Sequence, residues 1–454
     1  MTLAIINRYV AELDAAFTAL GAQVPLDHVE HMAMLVHPAM EARTRAYHRS
    51  EHVFALCDGM QARQRLAALF HDVVYFQLDG GFPPSVRSML EHVVSVQDGG
   101  LVLQTPAADD TVLRLCCGIF GFAPGQTLPL YGGMNEFLSA VVAARLLQAH
   151  LGMDDLLGVL ACIEATIAFR APDAQGHSAA QSLAQRLHVL LAQVDPSPTP
   201  AATLQRVHRA VADAVALANR DVGGFAVADP GLFLSSTWLL IEESNAPQVI
   251  PNRYTTQEYR MGLCRMGSFL RQLDAAHIFQ VYRGVPDTQA LGQLQAAAQR
   301  NIAFACDFLD AKTVSIAVVE ALVRCTGPDV PISMFLGDIR SAQGRPDRAE
   351  DYLPTVPAHP PLDAQLLRVL EQGRAQESAH DLTASPLTAF MYRSLGQAGM
   401  QQALVQAQCM FDHTLSPLAF LHALDRAMVS AITQACARIA LSRRASLLAL
   451  LESL

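Results

Sequence analysis

The chain has no Cys-x-x-Cys pair. Its nine cysteines (57, 116, 117, 162, 264, 306, 325, 409 and 436) are scattered and odd in number, which argues against a thiolate zinc site or a disulfide framework. Most are expected to act as small core residues. No Lys/Arg-rich run occurs and the net charge is −10, so a protein that grips a nucleic-acid backbone is not expected, although a small anionic substrate remains open. No clean run of roughly 18 apolar residues exists, so no spanning helix is expected. The opening "TLAIINRYVAELDAAFTAL" is broken by Asn7, Arg8, Glu12 and Asp14 and reads as an amphipathic helix rather than a signal peptide. A cytoplasmic location follows by default. The Gly pairs at 80–81, 132–133 and 223–224 lack a following Gly-Lys-Ser/Thr, so turns are expected there and no phosphate-cradling loop.

What is present is apolar and helical. With 454 residues, 51% of them hydrophobic and 16% charged, the chain can bury a large core and is long enough for two or more domains. Segments such as "EFLSAVVAARLLQAHL" (136–151) and "QSLAQRLHVLLAQV" (181–194) repeat apolar residues at three- and four-residue steps, which predicts a nearly all-helical, all-α protein. "DGGFPPS" (79–85), "PSPTP" (196–200) and "NAPQVIPNR" (245–253) should stop helices. Pro-dense stretches between Thr326 and Asp363 mark a domain boundary. The division expected is 1–325, a Pro-rich connector at 326–362, and a helical C-terminal segment at 363–454. "STWLLIEESN" holds the sole tryptophan, Trp238, and the adjacent Glu242 and Glu243; adjacent positions diverge on a helix, so this pair is expected on a solvated face.

"TRAYHRSEHVFALC" (44–57) carries His48 and His52 four residues apart, and "RLAALFHDVVY" (65–75) carries His71-Asp72. On a helix, positions i and i+4 share a face, so both histidines can meet a second helix ending in Phe70-His71-Asp72. A lone histidine on an apolar helix is more often a satisfied core residue than a ligand. A His-Asp dipeptide placed directly after "LAALF" is harder to dismiss, because a buried unpaired carboxylate costs several kcal/mol and a metal is a natural partner. Imidazole nitrogen with carboxylate oxygen suits a divalent cation, and the spacing does not choose among the candidates.

These two motifs resemble the opening of the HD superfamily of metal-dependent phosphohydrolases, particularly a family of small predicted hydrolases with Tyr-His-(Asn)-x-x-His and Ala-x-x-Phe-His-Asp-x-Val-Tyr segments. "MNEFLSAVVAARLL" (134–147) is similar to that family's Asn-Glu-x-x-Ser-Ala helix, "IEATIAFRAP" (163–172) to its Ile-x-x-Thr segment, and "VALANRDVGGFA" (215–226) to the stretch bearing the last metal-binding Asp. Downstream, "YRMGLCRMGSFL", "HIFQ" and "AAAQRNIAFACDFL" echo its closing helices, so the likeness covers about residues 1–312. Residues 78–131 stand as an insertion where the family has a short loop, open to a role as lid, specificity wall or oligomer contact. Ala168 and Phe169 stand where many relatives have His after the Thr, which weakens any second metal.

The resemblance implies an HD-type helical bundle in which His48, His71, Asp72 and Asp221 hold one divalent ion (Mn, Fe, Ni, Co, Zn or Mg). The choice between His48 and His52 stays open, with the 23-residue step from His48 to His71 favouring His48. It also implies hydrolysis of a phosphoester or phosphoanhydride of a small phosphorylated substrate, with a nucleotide as a reasonable class. Asp72, His52 and Glu136 are the candidate catalytic groups, and Arg45 and Arg260 the candidate phosphate ligands. Two alternatives stand: a di-iron oxygenase drawing on His92, His150, His177, His188 or His208, and a non-catalytic scaffold binding a nucleotide or a protein. A Leu/Ala-rich surface is compatible with a homodimer.

Overall fold

The computed structural model describes residues 3–97, 99–195, 199–245, 252–339, 344, 346–357, 361–376, 378 and 381–454. The protein is all-α, with one two-stranded hairpin among the described residues. It divides into two compact units: Met1–Ala226 with Leu273–Ala298, and Val227–Gln272 with Gln299–Leu454. No single helix among the described residues is long and apolar enough to cross a membrane.

The first unit contains α1 (Ile5–Ala19), α2 (Leu26–Met40), α3 (Ser50–Cys57), α4 (Ala62–Phe70), α5 (Phe76–Asp79), α6 (Thr111–Phe120), α7 (Met134–Leu147), α8 (Met153–Ala165), α9 (Ala179–Val194) and α10 (Pro200–Asp221). Its centre is α8, in which every residue from Leu156 to Ala165 is buried. A helix that is apolar all round has to be surrounded, and α4, α7 and α10 pack against it. The one charge in that run, Glu164, is neutralised by Arg170 and Arg186, each 2.6 Å from its Oε1. Helix starts follow local chemistry. Ser178 and Gln181 form a capping box on α9, and Thr199 with Pro200 opens α10, as expected of these residue types.

Residues 78–131 fold into this unit's own core. They carry β1 (Val94–Gln97) and β2 (Gly100–Leu103), antiparallel with Val94 opposite Leu103. They also supply α6, which buries Leu113, Cys116, Ile119 and Phe120 against α7 and α9. Of the nine cysteines, all unpaired, Cys57, Cys116, Cys162, Cys306 and Cys436 are buried.

The second unit contains α11 (Pro230–Ser244), α12 (Thr256–Gln272), α13 (Thr288–Thr326) from residue 299 on, α14 (Ser333–Leu336), α15 (Ala364–Gln372), α16 (Pro386–Phe411), α17 (Pro417–His422), α18 (Arg426–Ile439) and α19 (Arg444–Ser453). Helix α16 bends at Gly396, where φ is 67°, a value glycine reaches without a Cβ penalty. These limits differ from the division at 325 and 362 drawn from the sequence. The reason is long-range pairing: Lys312 bonds Asp381 at 2.9 Å, Ser315 bonds Thr388 at 2.7 Å, and the Gln376 N–H donates to Ser235 Oγ at 3.0 Å. The Pro-dense stretch is itself tied in, with Ile332 N donating to Tyr254 O at 3.0 Å and Phe335 and Leu336 buried.

Glu242 and Glu243 are buried, 4% and 7% exposed, not on a solvated face. Ser378 donates a hydrogen bond to Glu242, and loss of hydration, with Asp381 nearby, raises the Glu242 carboxyl to about 7. The folded chain therefore keeps this proton between about pH 4.5 and 7 while the unfolded chain loses it, so stability falls as pH rises through that window. Glu242→Gln keeps an acceptor oxygen for Ser378 and removes the titration. Thermal melts should coincide with wild type at pH 4.5 and show the variant more stable by roughly 2–3 kcal/mol at pH 8. A variant no more stable than wild type at pH 8 would contradict this.

Candidate metal centre

Helix α4 opens with a Gln61/Gln64 capping box and buries Leu66 through Phe70 without a break, so its C-terminal end is firmly placed. His71 follows as the C-cap, its N–H bonded to Ala67 O at 2.9 Å. Its Nδ1 lies 2.8 Å from Ala68 O, which fits a donor there and turns Nε2 inward. Nε2 sits 2.9 Å from Asp72 Oδ2 and 3.8 Å from Asp221 Oδ1. From the first turn of α3, His52 Nε2 lies 3.1 Å from Asp221 Oδ1 and 3.9 Å from Asp72 Oδ2. Asp221 is the last residue of α10. Four side chains thus meet from the ends of three helices.

The backbone around this point is held by residues of the two motifs. Gly133, with φ at 103°, lets α7 start in close contact with Ile167, since a Cβ there would collide with the Ile167 side chain. One turn on, Asn135 Oδ1 accepts from Phe76 N at 3.1 Å and Ser139 Oγ from Val74 N at 3.0 Å. The i, i+4 spacing of Asn135 and Ser139 therefore clamps the strand of chain that follows Asp72, and places Glu136 beside the cluster. Arg45 Nη1 donates to Asp72 O at 2.6 Å.

His52, His71 and Asp72 offer ligand atoms within 4.8 Å of one another. His52 Nε2, His71 Nε2 and Asp72 Oδ2 are buried and have no properly aligned hydrogen-bond partner among the described residues. Buried polar atoms normally find partners, and two imidazole nitrogens with a carboxylate oxygen match the donor set of a divalent cation. The cluster can hold a metal.

Electrostatics follow from the crowding. Burial works to lower His71, but the Asp72 carboxylate, with Asp221 behind it, overrides this and raises the imidazole to about 10. Burial works to raise Asp72, and the charges of His71, His48 and His52 pull it well below the usual carboxylate range. Glu136 is raised to about 7, chiefly by loss of hydration and in part by Asp72, against the opposing pull of His71 and Arg170.

Of the residues singled out from sequence, His52, His71, Asp72 and Asp221 come together, with Glu136 near them. His48, favoured over His52 as first ligand, lies outside the tight group. Helix α3 begins only at Ser50, so His48 and His52 do not share a helical face, and their ring centres are 6.0 Å apart. His48 instead packs edge-on to Tyr75 at 4.9 Å. Arg45 is not placed to take phosphate: its side chain is fully buried and paired with Asp79 at 2.6 Å. Arg260 belongs to the second unit, where Nε bonds Glu320 at 2.7 Å and the guanidinium lies over Phe411. Arg170, which sequence reasoning passed over, lies close enough to Glu136 to pull on its proton and keeps 26% of its side chain exposed. Its signal was the "TIAFR" segment itself. Among the histidines raised for a di-iron site, His177 pairs with Asp173 at 3.4 Å, His208 with Arg283, and His150 packs on His28 and Phe17. No family model, curated protein or solved structure matches the chain.

Proposed function

We propose that the first unit is a metal-dependent phosphohydrolase acting on a phosphoester or phosphoanhydride, with a nucleotide as the substrate class that the HD-like motifs suggest. The observation that carries this reading is the convergence of buried ligand atoms on His52, His71 and Asp72 within 4.8 Å of one another, none with a properly aligned hydrogen bond among the described residues. Those three residues and Asp221 would hold one divalent ion. When bound, such an ion polarises a phosphoryl oxygen and lowers the pKa of water near it.

The chain's own groups do the remaining work. Glu136, beside the cluster and within electrostatic reach of Asp72 and His71, is suited to take a proton from an attacking water and return it. Arg170 brings positive charge to the Glu136 side of the cluster, but its guanidinium is spent on Glu164 through bonds of 2.6 and 3.3 Å, so its part is electrostatic and it is no phosphate ligand. His48, beside Tyr75 and within electrostatic reach of Asp72, is placed to protonate a leaving oxygen.

The two histidines separate by substitution. His52→Ala should lower metal affinity by about tenfold or more, while His48→Ala should keep near-wild-type metal content and lose turnover. Elemental analysis with a phosphate-release assay over nucleoside mono- and triphosphates reads both effects. Full metal content in His52→Ala, with loss in His48→Ala, would reverse the assignment.

A further inference from the structure

The chain contains a single lysine, Lys312, as well as a single tryptophan. Both are buried in the second unit, and Lys312 Nζ lies 4.8 Å from the Trp238 ring centre. Lysine is among the residues least often fully buried, so the one copy in this sequence sits where its charge needs an account. Nζ donates to Asp381 Oδ2 at 2.9 Å and to Ser385 Oγ at 3.2 Å. An ammonium has three donors, and no third acceptor is found for it among the described residues.

The surrounding charge is not balanced by Asp381 alone. Arg374 Nη1 also reaches Asp381 Oδ2, at 3.2 Å. Its Nε and Nη2 are buried with no hydrogen-bond partner among the described residues. Two cations therefore share one carboxylate. Glu242, raised to about 7, offsets the surplus only in part, and Arg348 is spent on Glu350 through bonds of 2.8 and 3.2 Å.

Lys312 lines a cavity of about 50 Å³ together with Ser315, Tyr254, Arg348, Ser385 and Thr388. That is on the order of four water volumes, room for a ligand of four or five heavy atoms and far too little for a nucleotide. The N-terminus of α16 opens onto it, since Ser385 through Thr388 are all part of the wall. The Ser385 side chain does not cap the helix, and the first helical bond runs from Ala389 N to Ser385 O. The N–H groups of Leu387 and Thr388 thus have no helical acceptor.

We propose that this cavity binds a small oxyanion of the phosphate or carboxylate class, held by Lys312 Nζ, the Ser385 hydroxyl and the Leu387 and Thr388 N–H groups. Asp381 and Glu350, the carboxylates in the wall, are each neutralised by their own cations and do not bar entry. The site is separate from the cluster on His71 and Asp72 and does not depend on its chemistry.

The full-length chain would be titrated with inorganic phosphate and, separately, with acetate at constant ionic strength. The fluorescence of the sole Trp238 reports on the site, and calorimetry gives stoichiometry. One saturable equivalent is expected, with the tighter of the two anions naming the ligand class, and the signal should persist in the His71→Ala/Asp72→Ala variant. Lys312→Met leaves Asp381 paired with Arg374 and should weaken binding about tenfold or more. Ser385→Ala keeps every charge and should weaken it severalfold, and it decides the matter if Lys312→Met fails to fold by circular dichroism. No saturable signal with either anion up to about 50 mM, beyond weak specific binding, would overturn the proposal. So would affinities unchanged by substitution, or a signal lost in the His71→Ala/Asp72→Ala variant.

Discussion

Protein carrying His71→Ala and Asp72→Ala together is expected to purify with less than a tenth of the wild-type metal and to lose metal-dependent phosphate release by at least about 10²-fold. The two side chains supply two of the three ligand atoms that meet within 4.8 Å, so what remains, His52 and Asp221, offers too few ligands for a stable site. Removing both also avoids leaving one buried charge alone, since His71 Nε2 and Asp72 Oδ2 are each other's nearest counter-charge at 2.9 Å. Unchanged far-UV circular dichroism is therefore expected beside the lost metal. Folded wild type that takes up none of Mn²⁺, Fe²⁺, Ni²⁺, Co²⁺ or Zn²⁺ on incubation would sink the metalloenzyme reading. It would leave the second interpretation, a helical binding scaffold.

Arg45→Met should cost about 3–5 kcal/mol of stability, the usual penalty for breaking one side of a buried pair. Arg45 is fully buried and bonds Asp79 through Nε at 3.1 Å and Nη2 at 2.6 Å, while Nη1 holds the Asp72 carbonyl. The variant strands the Asp79 carboxylate, which is 8% exposed, and frees the backbone that carries Asp72. Urea unfolding measures the loss, and adding Asp79→Asn should restore part of it. A phosphate ligand would behave in the opposite way, with KM raised and stability intact, so the pair of measurements separates a positioning residue from the substrate-binding role its sequence context invited. A loss under about 1 kcal/mol would place the pair with marginal surface contacts.

The residues that were legible in advance are those whose meaning is local. A His-Asp pair following five consecutive apolar residues needs a partner wherever the helix goes, and His71 is buried at the cluster with the Asp72 carboxylate 2.9 Å from it. Asn135 and Ser139 were visible as part of a helix with Asn-Glu-x-x-Ser-Ala spacing, and their job of clamping residues 74–76 follows from that i, i+4 step. The misplacements share a different cause. His48 drops out because α3 starts at Ser50, and that start is set by contacts from elsewhere in the chain. Tyr9 donates to Ser50 Oγ at 3.2 Å, and Ser50 and Arg49 both bond Glu41. Arg45 and Arg260 resemble phosphate ligands until their carboxylate partners appear, 34 and 60 residues away. Glu242 and Glu243 look solvated until α11 is packed and Ser378, 136 residues on, arrives at Glu242.

By itself, the sequence determined the all-helical class and set the His-Asp pair at the end of an apolar helical run. Each depends on residue type and short-range spacing, which the chain carries before it folds. Only the tertiary structure decided which histidine joins that pair, which arginines are already neutralised, and that residues 363–454 share a unit with 227–272 and 299–326. Those outcomes depend on which charges meet which partners across long separations, and a buried charge takes its role from the partner it meets.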